Sequence, residues 1–154
     1  FPLEKKEQPS TIMMGFMGKA NIWQWKANQN EEYWFQKVPS VSSYVDFHYP
    51  FEEKEMFIVS KVVPESAVND LLAVRVGTIT HKKEQTVHGR GIWENGTWHV
   101  VFKRSLKPVL LEDDVVFYPG EEKMLCAFAV WNGATGDRGG RKSISDWVEL
   151  EVKN

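Results

Sequence analysis

A single cysteine in 154 residues leaves no partner for an internal disulfide and no Cys-x-x-Cys knuckle for a metal. That residue, Cys126, sits in the apolar run Met124 to Val130 and reads as a small core side chain. Long apolar runs are missing as well: none approaches the ~20 residues needed to cross a bilayer, so the chain is not expected to span a membrane. Surplus positive charge is absent, the net charge being -2, which argues against a nucleic-acid partner. No basic segment with an apolar stretch behind it opens the chain, so no targeting signal names a compartment. The chain starts at Phe1-Pro2-Leu3 as though already inside a folded unit, and either a removed export signal or earlier strands are expected upstream. The four histidines, His48, His81, His88 and His99, show no metal-hydrolase spacing. A Gly-x-Ser-x-Gly elbow, a phosphate-binding loop and a dinucleotide fingerprint are all lacking. The common hydrolase and nucleotide-dependent classes therefore have no anchor.

What is present favours strands. Seven Trp and nine Phe join many Val and Ile, with Gly and Pro breaking the chain at short intervals. The length fits one core, so a single domain over 1–154 is expected. Asn95-Gly96 predicts a tight hairpin between Gly91-Ile92-Trp93 and Trp98 to Phe102, because both turn positions need positive φ. Further strands are expected over Ser10–Met14, Asn21–Lys26, Leu71–Thr80, Val115–Tyr118, Met124–Trp131 and Trp147–Val152, a spacing that indicates an antiparallel β-sandwich or barrel. Residues 28–66 read as a long inserted excursion with room for one short helix; their clustered aromatics suit packing on a cofactor or another subunit. The acidic groups Glu112-Asp113-Asp114 and Glu121-Glu122 read as solvated strand ends.

Two segments exceed what a plain sandwich needs. Met13, Met14 and Met17 lie among Gly15 and Gly18, placing soft thioether sulfur beside glycines that admit a flat ligand, although methionines also fill irregular core gaps. The stretch Asn132 to Trp147 carries four glycines with Arg138, Arg141 and Lys142. It suits a loop that approaches an anionic ligand, and equally an ordinary solvated turn.

In order along the chain, Phe1-Pro2, Met13-Met14-Gly15, Ile22 to Ala27, Gly89-Arg90-Gly91-Ile92-Trp93, Trp98 to Leu106 and Val130-Trp131-Asn132-Gly133 through Gly139-Gly140-Arg141-Lys142-Ser143 span nearly the whole sequence. The ordered set resembles the haem b (gamma) subunits of the type II branch of the dimethyl sulfoxide reductase family. That group includes ethylbenzene dehydrogenase, dimethyl sulfide dehydrogenase, selenate and chlorate reductases and nitrite oxidoreductase. The upstream strands of that pattern are absent here, and the excursion after Asn28 is longer than its simplest members need.

The resemblance implies an immunoglobulin-like, DOMON-like β-sandwich holding one non-covalent haem b between a methionine and a lysine. By motif the methionine is Met14, with Met13 as alternative; the lysine is Lys142, with Lys103 as alternative. A lysine amine ligates iron only when neutral, a form that burial and the metal charge favour, and a thioether opposite raises the potential. Arg104, Arg138 and Arg141 are the candidate partners of the haem propionates. The resemblance further implies an electron-transfer subunit rather than an enzyme in itself. Its expected partners are an iron-sulfur beta subunit and a molybdopterin alpha subunit, which hold the iron-sulfur clusters and molybdenum cofactor, and a soluble cytochrome c is a further expected carrier. The setting is the periplasm or another exported compartment of a prokaryote. From the residues alone, the tryptophans also suit a carbohydrate-binding β-sandwich, since indole faces stack on sugars.

Overall fold

The computed structural model describes residues 1–3, 17–35, 66–75, 77–108, 111–120 and 123–153. They form a mainly β, antiparallel architecture with nine strands, one α-helix and one short 3-10 turn among the described residues. The chain groups into two compact units: Phe1–Trp23, Asp70–Thr86 and Arg104–Asn154 in one, Gln24–Asn69 and Val87–Lys103 in the other.

The second unit is built on the hairpin that Asn95-Gly96 dictates. Strand β4 (His88–Glu94) pairs antiparallel with β5 (Thr97–Lys103), with Glu94 opposite Thr97 and His88 opposite Lys103. Asn95 and Gly96 both take positive φ, 50° and 78°, as a turn matched to strand twist requires. Strand positions alternate across a sheet, so Gly89, Gly91 and Trp93 share one face. The two glycines are buried. A Cβ on Gly91 would collide with the Trp25 indole and one on Gly89 with the Val68 side chain, so both motif glycines are demanded by close approach. Trp25 then meets Trp98 edge-on at 4.9 Å, and Trp98 meets Trp93 at 5.3 Å.

Helix α1 (Ala27–Phe35), at the start of the expected excursion, rests on β4 through polar anchors. Buried Asn30 accepts from the Gly91 amide at 2.8 Å and the Trp25 indole at 3.2 Å, and donates to the Gly91 carbonyl at 3.1 Å. Trp34 donates to the Gly89 carbonyl at 3.0 Å while the Arg90 guanidinium stands over its ring. The rest of the excursion, residues 36–65, lies outside the described residues, as does the strand expected over Ser10–Met14.

Strands β1 (Met17–Trp25), β2 (Val68–Arg75) and β3 (Ile79–His81), most of whose residues fall in the first unit, form a sheet in that order. The single strand expected over Leu71–Thr80 is in fact the β2–β3 hairpin. Thr78 Oγ1 accepts from the Val74 and Arg75 amides at 3.1 and 2.9 Å and donates to the Arg75 carbonyl at 2.8 Å. Gly77, at φ 85°, completes the reversal.

The strand expected over Met124–Trp131 is likewise two. Strand β6 (Met124–Cys126) pairs with β9 (Val148–Leu150), and β7 (Ala129–Val130) with β8 (Ser143–Ile144). The break falls where the Phe128 amide bonds the Ser145 hydroxyl at 2.9 Å instead of continuing a ladder. Val115–Tyr118, expected as a strand, is irregular chain. Its Val115 carbonyl accepts from the Arg104 guanidinium, and its Phe117 ring contacts Phe1 and Trp23.

Charge also lies in this core. Asp70 accepts from Asn21 at 2.7 Å and from Lys82 at 3.0 Å; Lys82 also bonds Asp114, which accepts from Arg104 at 3.1 Å. Two cations and two carboxylates thus neutralise one another out of water, as burial of charge demands. Asp114, expected at a solvated strand end, is buried, whereas neighbouring Asp113 pairs with Lys19 at 3.0 Å in partial contact with solvent.

Candidate functional site

Extending the register of the β7–β8 hairpin, in which Ala129 faces Ile144 and Val130 faces Ser143, places Trp131 opposite Lys142. Alternation then puts Ala129, Trp131, Lys142 and Ile144 on one face of the ladder. The side chains agree: the Lys142 Nζ stands 5.2 Å from the centre of the Trp131 ring. Val130, Trp131 and Ile144, with Phe128 just before β7, are exposed large hydrophobics, so the hairpin that carries this amine is apolar and exposed. Such surface in a soluble fold marks a place for a ligand or partner.

Of the twelve residues between the strands, the stretch Asn132 to Arg141 is bonded to itself. Asn132 caps the 3-10 turn Gly133–Thr135 by accepting from the Ala134 amide at 3.0 Å. Gly136, at φ 67°, closes that turn. Asp137 accepts from the Asn132 amide at 3.0 Å, from the Thr135 hydroxyl at 3.1 Å and from Arg141 Nε at 3.2 Å. The Trp131 indole donates to the Gly139 carbonyl at 3.1 Å, and Lys142 Nζ donates to the same oxygen at 3.3 Å. The glycine-rich sequence therefore encodes an exposed loop whose side chains bond its own backbone.

The other expected site residues fall as follows. Met13 and Met14 lie outside the described residues. Lys103 is exposed at the end of β5, opposite His88, in the second unit. Arg104 belongs to the buried network, its guanidinium held by Asp114 and the Val115 carbonyl and stacked on Trp23 and Phe117. Burial lowers its pKa from the ordinary arginine value, and Asp114 and Asp70 oppose that effect. Arg138 and Arg141 are exposed on the Asn132–Arg141 loop, Arg141 beside Asp137. Trp131 and Asp137 are the site residues that sequence reasoning missed. The signal was available, since a tryptophan and a lysine flank the glycine-rich loop at its two strand ends.

Among the described residues no group of three or more His, Cys, Asp or Glu side chains could hold a metal ion. No helix among them is long and apolar enough to cross a membrane. The tryptophans of the second unit meet at steep angles, 62° for Trp25 with Trp98 and 58° for Trp93 with Trp98. They pack on one another rather than form a coplanar sugar platform.

Compared with known proteins, residues 35–143 match the family model of ethylbenzene dehydrogenase. The chain belongs to the ethylbenzene dehydrogenase family. The matched span of this family contains both the Gly89–Trp93 and Trp98–Lys103 strands and the whole loop from Asn132 to Lys142. A curated relative from Haloferax mediterranei, described as a putative respiratory nitrate reductase heme subunit, is 31% identical over 86 residues. That alignment covers 56% of this chain and 30% of the relative, so the chain spans about a third of the protein it matches.

Proposed function

We propose that this chain is a non-covalent haem b-binding, electron-transfer part of a multi-subunit molybdenum oxidoreductase, and not a catalyst in its own right. The observation that carries the reading is the Lys142 amine set on an exposed apolar hairpin by a self-bonded loop. The residues fit the group. A porphyrin needs flat apolar contact, which the Ala129, Trp131 and Ile144 face offers. It also needs a side-chain donor for iron. Lys142 presents its amine at this face, against the Gly139 carbonyl at 3.3 Å and the Trp131 ring.

In this reading Lys142 and Met14 would hold the haem iron, with Met13 as the alternative methionine and Lys103 as the alternative lysine. Haem, when bound, supplies one-electron iron chemistry. Arg138 and Arg141, on the same loop as Lys142, serve as propionate partners, with Arg104 as a further candidate that Asp114 and the Val115 carbonyl already hold. The name of the relative supports a respiratory setting. We infer partner subunits that hold iron-sulfur clusters and a molybdopterin, a soluble cytochrome c as a further carrier, and a periplasmic or other exported location.

Absorption spectra of the purified protein and two variants test the assignment. A Soret band and a reduced α-band are expected, with haem lost or switched in spin state in Lys142→Ala and in Met14→Ala. Unchanged spectra in both would refute the ligand pair.

A further inference from the structure

We propose that Trp131 is a positioning residue for the Lys142 amine, holding it in place for ligation through one carbonyl that both side chains share. This rests on the haem reading above and gives a role to a residue that the motifs contain but assign none. The indole N–H and the Lys142 amine converge on the Gly139 oxygen, at 3.1 and 3.3 Å. The indole face then flanks the amine, 5.2 Å from the ring centre.

A lysine on a loop surrenders up to about 2 kcal/mol of rotamer freedom when it is fixed. The ring and the carbonyl impose that restriction before any ligand arrives, which is how preorganised sites gain affinity. The carbonyl itself is held in place: Gly139 has φ 54°, and the Arg141 amide bonds the Arg138 carbonyl across it at 2.9 Å. Asp137 ties the base of the loop to Asn132, Thr135 and Arg141. The amine meets this frame at the Gly139 oxygen, and the tryptophan both bonds that oxygen and walls the amine. Without its N–H the Gly139 carbonyl loses a donor, and without its ring the lysine chain loses the wall it lies against.

The test is the ferric absorption and electron paramagnetic resonance spectrum of the haem-loaded full chain in wild type, Trp131→Phe, Trp131→Leu and Lys142→Ala. The expected result is full haem content in the Leu variant with a high-spin signal like that of Lys142→Ala, and a smaller high-spin fraction in the Phe variant, which keeps a ring but no N–H. A merely structural role would lower haem content without changing the spin state of what is retained, and that result overturns the proposal. So does a folded Leu variant with the wild-type spectrum beside an altered Lys142→Ala, which leaves the haem reading standing. Should Lys142→Ala itself keep the wild-type spectrum, the ligand assignment fails and the positioning role falls with it. If the Leu variant does not fold, the Phe variant decides, since an unchanged low-spin spectrum there removes the hydrogen bond from the account.

Discussion

Asn30 bonds both backbone groups of Gly91, accepting from its amide at 2.8 Å and donating to its carbonyl at 3.1 Å, so one helix side chain does for β4 what a neighbouring strand would do. Gly91 can be reached because it has no Cβ under the Trp25 indole. Helix, hairpin and tryptophan are thus one packing unit. The Gly-Arg-Gly motif is explained by close approach in that unit rather than by contact with a ligand.

Replacing Asn30 by Ala strands the Gly91 groups in a buried place and should lower stability by about 1–3 kcal/mol. Gly91→Ala forces the Trp25 indole to move and should cost about 1–3 kcal/mol through overpacking. Urea unfolding of both and of the double variant should show coupling, because the two changes act on one contact.

Lys82 bridges Asp70 and Asp114 with about 5% of its side chain exposed. Lys82→Met leaves two carboxylates without their shared cation and should destabilise by about 3–5 kcal/mol, since breaking a buried pair exposes the uncompensated charge. Lys123→Met, which removes the exposed pair with Glu149, should change the urea midpoint little.

The turn offers a contrast between glycines. Gly96 has φ 78°, so Gly96→Ala should cost about 1–2 kcal/mol. Gly140 has ordinary φ and open space where a Cβ would stand, so Gly140→Ala should melt at the wild-type temperature.

Burial pushes the Cys126 thiol above its ordinary value of 9.0. With the folded value raised, the stability it contributes is fully present below the unfolded value and fades as pH rises through the folded one. Comparing denaturant midpoints between pH 7 and 11, the wild type should lose more stability than Cys126→Ala. Parallel curves would contradict this.

Much of the fold was legible where local chemistry decides it. Asn95-Gly96 forced a hairpin, and the break after Lys26 was readable as the start of a different kind of segment. Strand continuity was not legible where a side chain replaces a ladder bond, as Thr78 does after Arg75 and Ser145 does at Phe128. Apolar runs look continuous through such breaks. The buried network was equally hidden, because Asp70, Lys82, Arg104 and Asp114 are distant in sequence and each is an ordinary surface residue type. Arg104 stood out as a candidate propionate partner, while its bond to Asp114 could not be read from sequence. At the candidate site the lysine and its glycine-rich loop stood out, while the role of Trp131 needed the register that sets it opposite Lys142.

The most direct measurement is a haem extraction and pyridine haemochromogen assay on the purified full-length protein. One haem b per chain is expected, released into acidified organic solvent because the sequence has no Cys-x-x-Cys-His to hold it covalently. A protein free of porphyrin, or a haem that stays with the polypeptide after extraction, would contradict it.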